Sequence, residues 1–361
     1  MTQSNWRMQP LVVALLLVCT CHFCFGQDQP TPDERLAGIL KRFPQSDANQ
    51  DGTLTREEAA AFFRKRREGM EKSNPNPGRS RGSEPTHADI SYGDHEKQAF
   101  DIWLVPDATE PTPVVLFIHG GGFRSGDKRT AVPSFIDKCL KAGVAFVAMN
   151  YRLSDVGPYP IMMDDCARGL QTIRHRAKEW NLDPENIAAY GGSAGAGISL
   201  WLGFHDDLAD PESDDPIARE STRIVAVGTM NGQSTYDLND FRDWFGVPNL
   251  QPGPALSAFY GIESDADWES ERVRNLMKEA SSINHLSKDD VPVYMIYSRP
   301  NTPVTAETES REWVHHVKLG LKLQAAMQEH GLECIVKGPD IKPENDPYSS
   351  MEDFLIQKVK G

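Results

Sequence analysis

Residues 187–195 read Ile-Ala-Ala-Tyr-Gly-Gly-Ser-Ala-Gly, and the apolar run Gly197–Leu202 follows directly behind them. This is the pattern of an apolar strand that turns sharply at a serine and continues as a helix. The glycines on either side of Ser193 are needed because larger side chains would collide in such a turn, which leaves the serine exposed at the end of its strand. The N-terminus of the helix adds backbone N–H groups and a partial positive charge beside it. We therefore expect Ser193 to be a nucleophile.

Short apolar stretches alternate with helical patterns from about residue 88 to the end of the chain. Two of them, Val114–His119 and Val144–Asn150, are apolar on both faces, as strands covered by helices on both sides must be. The other six expected strands are Ala88–Ser91, Ala99–Val105, Ile187–Tyr190, Arg223–Gly228, Val291–Tyr297 and Leu332–Lys337. The pattern predicts an α/β domain at 88–361 with an eight-stranded, mostly parallel sheet and helices on both faces.

A second glycine motif, His-Gly-Gly-Gly-Phe at 119–123, follows the third expected strand. Acyl transfer places negative charge on the former carbonyl oxygen, and each preorganised N–H donor stabilises that charge by about 3–4 kcal/mol. Gly120 and Gly121 carry no side chain, so their backbone can approach the reacting group closely. The residue after the serine, Ala194, supplies one more N–H. We expect Gly120, Gly121 and Ala194 to form an oxyanion hole.

With these two motifs, residues 88–361 resemble α/β-hydrolases of the HGGG-bearing carboxylesterase branch, similar to hormone-sensitive-lipase-like and xylan-acetyl or feruloyl esterases. Further sequence features support the resemblance: Asn150–Leu153, the pair Asp164 and Asp165, and the run Leu182–Ile187. The resemblance implies the α/β-hydrolase fold and hydrolysis of a small-molecule or carbohydrate-linked ester. It does not extend to the N-terminal part of the chain.

A serine needs a general base, normally a histidine that a carboxylate orients. In the families that the chain resembles, the acid usually follows the seventh strand and the histidine follows the eighth. Here Asn301 stands where the acid is expected, and no histidine follows His330. The positions of both groups therefore depart from the family pattern.

Elimination leaves His315 and His316, which follow the top end of the seventh strand at the start of a helix. Other histidines lie too far along their helices or at the opposite end of the sheet: His175, His205, His285 and His330. We expect His315 or His316 to be the base, with Asp340 or Glu307 as a candidate for orienting it. The alternative is that the pair only caps or packs its helix.

Residues 47–58 read Asp-Ala-Asn-Gln-Asp-Gly-Thr-Leu-Thr-Arg-Glu-Glu and fit the twelve-residue EF-hand loop. Ca²⁺ takes six to eight oxygen ligands, and a glycine at the sixth position permits the sharp turn around the ion. The expected ligands are Asp47, Asn49, Asp51, the Thr53 carbonyl and Glu58, with Thr55 acting through water. We therefore predict a small helical EF-hand segment at 33–70 that binds a structural Ca²⁺, and no cofactor for catalysis.

The remaining segments indicate export. The apolar run Leu11–Cys19 is too short to span a bilayer and, with a small-x-small site before Gln27, predicts a signal peptide at 1–26. Anchoring through a lipidated Cys19 or Cys21 is the alternative to a freely secreted or periplasmic protein. The stretch 72–87 is rich in proline, glycine and serine and is typical of a linker. We expect no membrane-spanning helix.

The balance of 38 Lys and Arg residues against 52 Asp and Glu residues gives a formal charge of −14, which argues against a nucleic-acid partner. The combined features predict an exported serine hydrolase of carboxylic esters. The segment 236–287, with Trp244, Phe245, Phe259, Tyr260 and Trp268, is expected to cap the substrate pocket. The alternative for these aromatic residues is that they only pack within the domain. A catalytically impaired hydrolase fold used for binding is the alternative, and a peptidase is a third possibility.

Overall fold

The computed structural model describes residue 40, residues 44–49, 51–55, 58 and 62, and residues 84–361. The chain divides into two compact units, Met1–Arg79 and Ser80–Gly361, which are described separately below. The predicted signal peptide, most of the predicted linker and most of the helical stretches predicted to flank a calcium loop lie outside the described residues.

The unit from Ser80 onward is built on one mixed sheet. Its strands are β1 His87–Ser91, β2 Ala99–Trp103, β3 Thr112–Ile118, β4 Ala145–Met149, β5 Leu182–Gly192, β6 Val227–Met230, β7 Val293–Ile296 and β8 Cys334–Lys337. Their spatial order is β1-β2-β4-β3-β5-β6-β7-β8. β2 pairs antiparallel with β1 and β4, whereas every pairing from β4 to β8 is parallel. The predicted eight-stranded, mostly parallel sheet is confirmed.

Helices cover both faces of this sheet. They are α1 Pro133–Lys141, α2 Ile161–His175, α3 Ala194–Phe204, α4 Leu238–Phe245, α5 Pro254–Tyr260, α6 Glu271–Ala280, α7 Ser310–Trp313, α8 Val317–Glu329 and α9 Met351–Lys360. Successive side chains of a strand point to opposite faces, so Leu116 and Phe117 of β3 enter different layers. Leu116 packs in the apolar cluster that contains Ile198 of α3, and Phe117 packs in the cluster that contains Phe354 of α9. Burial on both faces explains why the central strands are apolar throughout.

The sixth strand differs from its predicted bounds, since it was expected at Arg223–Gly228 and spans Val227–Met230. The residues before it still run along β5, because the Val225 N–H donates to the Ile187 carbonyl at 2.9 Å. The regular ladder then extends to Met230, beside the end of β5. The apolar pattern therefore located the strand but not its last residues.

The connection between β6 and β7 holds α4, α5 and α6, in the segment predicted as a cap. Its aromatic residues form much of its own core. Tyr260 meets Trp268 edge to face, and the Phe259 and Tyr236 rings lie 5.2 Å apart between centroids. Phe259 also stacks on Phe123 of the glycine turn after β3, with 4.3 Å between ring centroids.

The helices of the domain can be measured against the length that a membrane span needs, about 20 residues. Among the described residues, no helix combines the length and the apolar run that crossing a bilayer requires.

Cys139 and Cys166 are buried free thiols, and Cys334 is half-buried and also free. Burial raises the pKa of the Cys334 thiol to about 12, so these thiols pack as small apolar groups.

Candidate active site

The two glycine motifs meet because they follow neighbouring parallel strands. β3 pairs with β5, and Ile118 lies opposite Gly191. The turn after β3 and the turn after β5 therefore emerge side by side at the carboxyl edge of the sheet, where α/β folds bind their ligands.

Ser193 occupies the turn between β5 and α3 with a left-handed backbone, at φ 51° and ψ −118°. A non-glycine residue rarely adopts this region, and such strain persists only where the surroundings hold it. Here the Ser193 N–H donates to the Met230 carbonyl at 2.9 Å, and its own carbonyl accepts from the Gly197 N–H at 3.0 Å. β6 and α3 thus fix the turn that presents the hydroxyl.

The glycines of the G-x-S-x-G motif are required by close backbone contacts. A Cβ at Gly191 or at Gly195 would overlap the Ile118 carbonyl oxygen. At Gly192, between them, a Cβ would meet only Met230 at ordinary contact distances of 3.8–3.9 Å. Glycine is therefore required at Gly191 and Gly195, where the backbone of β3 lies in close contact. The position of Gly192 has room for a side chain.

His315 is the histidine that the structure brings to Ser193. It follows α7, and its Nε2 lies 2.7 Å from Ser193 Oγ. Its Nδ1 lies 2.8 Å from the Arg311 carbonyl oxygen. A carbonyl only accepts, so Nδ1 carries the proton and Nε2 offers its lone pair to the serine hydroxyl. This is the tautomer that a general base requires.

The surroundings of His315 favour its neutral form. Burial lowers the pKa of His315 below its usual value near 6.5, and the positive charge of Arg299 lowers it further. The hydrogen bond to the Arg311 carbonyl acts in the opposite direction but is outweighed. The imidazole is therefore held ready to accept a proton near neutral pH.

His316, the second candidate for the base, has a different position. Its Nδ1 accepts from the Lys318 N–H at 3.0 Å, and its Nε2 donates to the Thr302 carbonyl at 2.8 Å. Both ring nitrogens are thus engaged, and the residue caps the N-terminus of α8. The capping alternative describes His316, whereas His315 is the residue that contacts Ser193.

Neither carboxylate proposed to orient the base reaches it. The Asp340 carboxylate accepts from the Asn301 N–H at 2.9 and 3.1 Å, and Glu307 accepts from the Thr305 hydroxyl at 2.8 Å. Within residues 84–361, the partner of His315 Nδ1 is the Arg311 carbonyl instead. A backbone group has no side-chain signature, so sequence reasoning missed it.

The glycine turn after β3 faces the same space as Ser193. Gly121 has φ +119° and Gly122 has φ +60°, and both line the cavity together with Ala194. Ala194 is the first residue of α3, so its N–H has no intrahelical acceptor. A Cβ at Gly120 would overlap the Gly192 carbonyl oxygen, so this glycine lets the turn after β3 lie against the turn after β5. Of the three expected oxyanion residues, Gly121 and Ala194 line the cavity, and Gly122 joins them.

His119 supports this turn from behind. The residue is buried, and its ring stacks on Tyr151 with 4.3 Å between ring centroids. Its Nδ1 donates to the Gly120 carbonyl at 2.8 Å, and its own carbonyl accepts from the Tyr151 hydroxyl at 2.9 Å. His119 therefore positions the backbone rather than the reacting groups.

A cavity of about 420 Å³ opens beside Ser193 and His315. The cap segment supplies most of its apolar wall: Tyr236, Phe241, Pro254, Ala255 and Leu256. Within residues 84–361, the five cap aromatics expected at the pocket do not line it; Phe259 and Tyr260 are fully buried. The segment 236–287 thus lines the cavity as expected, and its five aromatic residues follow the packing alternative.

Gln233 is a residue of the site that sequence reasoning missed. It is buried beside the cavity, and its Nε2 donates to the Val314 carbonyl at 2.7 Å and to the Asn231 carbonyl at 3.0 Å. The Tyr236 hydroxyl donates to its Oε1 at 3.2 Å. Because Val314 precedes His315, Gln233 connects the cap to the backbone that carries the histidine.

A larger cavity of about 660 Å³ lies near the antiparallel edge of the sheet. Buried Lys128 contacts Asp101 at 2.6 Å and Asp89 at 2.7 Å there. The described residues that line it include no serine, cysteine or histidine. The described lining of this cavity therefore contains no pair of a hydroxyl or thiol nucleophile and a histidine base.

The described part of the N-terminal unit contains the five expected calcium ligands: Asp47, Asn49, Asp51, Thr53 and Glu58. Gly52 has φ +83°, and its N–H donates to Asp47 Oδ2 at 2.8 Å. Glu58 Oε1 accepts from the Asn49 N–H at 3.4 Å, so the side chain at the twelfth position of the loop contacts the backbone at the third. Leu54 is buried, as expected of the apolar position. This turn and these oxygen-bearing side chains fit the donor set that Ca²⁺ prefers.

Comparison with known proteins agrees with this geometry. The profile of the family described as BD-FAE matches residues 100–312, more than half of the chain. The chain belongs to the BD-FAE family. The match runs from the second residue of β2 through β7 and contains the serine turn and the glycine motif, but it ends three residues before His315.

Curated relatives of this BD-FAE family member are esterases by name. The probable carboxylic ester hydrolase LipM of Mycobacterium tuberculosis is 28% identical over 235 residues, which cover 64% of this chain and 51% of that protein. The probable isoprenylcysteine alpha-carbonyl methylesterase ICMEL1 of Arabidopsis thaliana is 25% identical over 241 residues, 66% of this chain and 49% of that protein. The chain thus spans about half the length of these relatives.

Solved structures show the same fold. A truncated carbohydrate esterase from gut microbiota aligns with a TM-score of 0.58 and 17% identity, over 78% of this chain and 99% of that one. A thermophilic esterase from the planctomycete Thermogutta terrifontis aligns with a TM-score of 0.53 and 19% identity, over 79% and 92%. The expected α/β-hydrolase fold is confirmed.

Proposed function

We propose that this protein is a serine hydrolase of carboxylic esters. The observation that carries the proposal is the 2.7 Å contact between Ser193 Oγ and His315 Nε2, in the tautomer that the Arg311 carbonyl fixes. A nucleophile, a base with an available lone pair and a group that orients the base are the minimum for nucleophilic acyl transfer.

The reaction begins when Ser193 Oγ attacks the ester carbonyl carbon and its proton passes to His315 Nε2. The protonated imidazole then gives that proton to the leaving alcohol, and the acyl group stays on Ser193. Water attacks this acyl-enzyme in the second half of the reaction, with His315 again accepting the proton. As the bond between the acyl carbon and Ser193 Oγ breaks, His315 Nε2 returns that proton to Oγ and the carboxylic acid leaves.

Charge on the carbonyl oxygen would be stabilised by backbone donors. The N–H groups of Gly121, Gly122 and Ala194 are the proposed donors because these three residues line the cavity that contains Ser193. The positive end of the α3 dipole adds to the same stabilisation. Gly120 would serve by allowing the glycine turn to pack against the serine turn.

The substrate class follows from the cavity and the relatives. A volume of about 420 Å³ with a largely apolar wall suits a small ester rather than a long-chain lipid. Relatives and structural neighbours are named as carboxylic ester hydrolases and carbohydrate esterases. We therefore propose short acyl groups carried by a small alcohol or a carbohydrate as the substrates.

One observation favours the alternative of an impaired hydrolase fold that binds rather than turns over. The neutral Arg311 carbonyl stabilises an imidazolium less than a carboxylate would. Turnover slower than that of a complete triad follows from this, since the triad carboxylate stabilises the imidazolium that forms. An active protein whose rate depends on Ser193 distinguishes the slow enzyme from the binding protein.

We further propose that the loop at 47–58 holds Ca²⁺ in a structural role and that the protein is exported. The calcium proposal rests on the ligand pattern and on the loop closure at Glu58. Export rests on the signal-like sequence at 1–26. Neither proposal adds a group to the catalytic site.

Hydrolysis of p-nitrophenyl acetate by the full chain tests the proposed function. We expect Ser193→Ala to lower kcat/KM at least about 1,000-fold, because no other group replaces the nucleophile. Ser257→Ala, in α5, is the matched control, since its hydroxyl donates to the Gly253 carbonyl and not to His315. Equal rates for Ser193→Ala and the unaltered chain would contradict the proposal.

A further inference from the structure

Three metal-ligating side chains converge where the helix that begins at Ser193 ends. His205 caps the C-terminus of α3, Glu279 lies in the last turn of α6, and His285 ends a 3₁₀ turn at Ser282–His285. One potential ligand atom of each lies within 4.8 Å of those of the other two. Since α3 rises 1.5 Å per residue, this cluster is on the order of 15 Å from the serine.

Backbone carbonyls account for one proton on each imidazole. His205 Nδ1 donates to the Asp206 carbonyl at 2.9 Å, and His285 Nε2 donates to the Glu279 carbonyl at 2.7 Å. A metal-bound histidine almost always donates its second ring N–H to a carbonyl or carboxylate in this way. His205 Nε2 and His285 Nδ1 are left as lone-pair donors.

The His205 lone pair faces a group that also only accepts. Glu279 Oε1 lies 3.0 Å from His205 Nε2, and an ionised carboxylate has no proton to donate. Two acceptors at this distance require a cation between them or a proton on the ring. Tetrahedral Zn²⁺ with bonds near 2.1 Å separates its ligand atoms by roughly 3.4 Å. The ligand atoms of His205 and Glu279 lie 3.0 Å apart, and those of all three residues lie within 4.8 Å of one another.

The two helix ends beside the His205, Glu279 and His285 side chains also favour a bound cation. α3 and α6 both end at the cluster, and helix C-termini carry partial negative charge. Trp201 holds the ligands in place, since its ring lies 4.2 Å from the His205 ring and its Nε1 donates to the Glu279 carbonyl at 3.3 Å. The Glu279 side chain is half exposed, which leaves room for water as a further ligand.

We propose that His205, Glu279 and His285 form a binding site for one divalent transition-metal ion of the Zn²⁺ class. Two imidazoles and one carboxylate suit Zn²⁺, whereas Ca²⁺ and Mg²⁺ prefer all-oxygen sites. The ion joins the cap segment, which carries Glu279 and His285, to α3. Its role is structural, because its ligands lie at the opposite end of α3 from Ser193.

Calorimetric titration of the chelator-treated full chain with Zn²⁺ tests this site, in buffer with excess Ca²⁺ to saturate the loop at 47–58. We expect one Zn²⁺ per chain with micromolar or tighter affinity, and a rise in Tm on binding. His285→Ala and Glu279→Gln should each weaken Zn²⁺ binding on the order of 100-fold. Cooperative thermal unfolding of both variants would establish that they are folded.

His175→Ala is the matched control, because His175 Nδ1 also faces a glutamate, Glu220 Oε1 at 3.3 Å, outside any three-residue cluster among the described residues. It should bind Zn²⁺ as tightly as the unaltered chain. The proposal is overturned if the unaltered chain takes up no Zn²⁺, which would leave a protonated His205 paired with Glu279. Full Zn²⁺ affinity in folded His285→Ala and Glu279→Gln would overturn it as well.

Discussion

At the two ends of α3, histidines have similar hydrogen bonds but different partners. Near the N-terminus, His315 donates through Nδ1 to the Arg311 carbonyl and turns Nε2 to the Ser193 hydroxyl at 2.7 Å. At the C-terminus, His205 donates through Nδ1 to the Asp206 carbonyl and turns Nε2 to the Glu279 carboxylate at 3.0 Å. The imidazole is held by a backbone carbonyl in both places.

The difference lies in what the facing group can donate. A hydroxyl donates a proton, so the pair of Ser193 and His315 is complete when neutral and ready for proton transfer. A carboxylate only accepts, so the pair of His205 and Glu279 needs an added proton or a metal ion. The helix dipole has the matching sign at each end, favouring an oxyanion at Ser193 and a cation at His205. In the two proposed roles, the group that faces the imidazole therefore decides between proton transfer and cation binding.

The largest effect should come from breaking the pair at the N-terminal end. We expect His315→Ala to lower kcat for p-nitrophenyl acetate on the order of 1,000-fold, because Ser193 then has no base. His316→Ala is the matched control and should change kcat less than about threefold, because its ring nitrogens bond to Thr302 and Lys318 instead. Similar losses in both variants would show that the wrong histidine has been assigned.

A smaller effect is expected at Gln233, which positions the backbone before His315. Gln233→Met has a similar length but cannot donate to the Val314 and Asn231 carbonyls. We expect kcat to fall about tenfold while KM changes less than about twofold, because the base is displaced and the pocket wall is largely kept. Steady-state kinetics would measure both constants; a rise in KM with unchanged kcat would assign Gln233 to substrate binding alone.

The smallest expected effect concerns the pH dependence of kcat/KM. Only neutral His315 can accept the serine proton, and burial together with Arg299 lowers the pKa of His315. The midpoint of the fall in activity with falling pH should therefore lie below pH 6.5. Arg299→Gln removes one lowering influence and should move the midpoint upward, by less than burial moves it downward, since the Arg299 side chain is 44% exposed and screened by water. A downward shift in this variant would contradict the assignment.

The features that could be predicted from sequence are those set by local sterics and by strand order. Gly191 and Gly195 marked the serine turn because backbone contact forbids larger side chains there. The position of His315 and His316 after β7 followed from their order along the sheet. The eight strands followed from apolar runs, although β6 was placed a few residues early.

Other features could not be predicted because they depend on backbone groups and on tertiary packing. The choice between His315 and His316 depends on the turn between α7 and α8, which directs adjacent side chains to different partners. The group that orients His315 is a carbonyl, and any residue type provides one. Gln233 acts across 81 residues of sequence, with no motif to mark it.

The central claim, that Ser193 is a nucleophile activated by His315, is tested most directly by covalent labelling. The full chain would be treated with a fluorophosphonate probe and the modified peptide located by mass spectrometry. We predict that the probe is found on Ser193 and that His315→Ala, but not His316→Ala, slows the labelling strongly. Labelling at another residue, or equal labelling rates in the two histidine variants, would contradict the account.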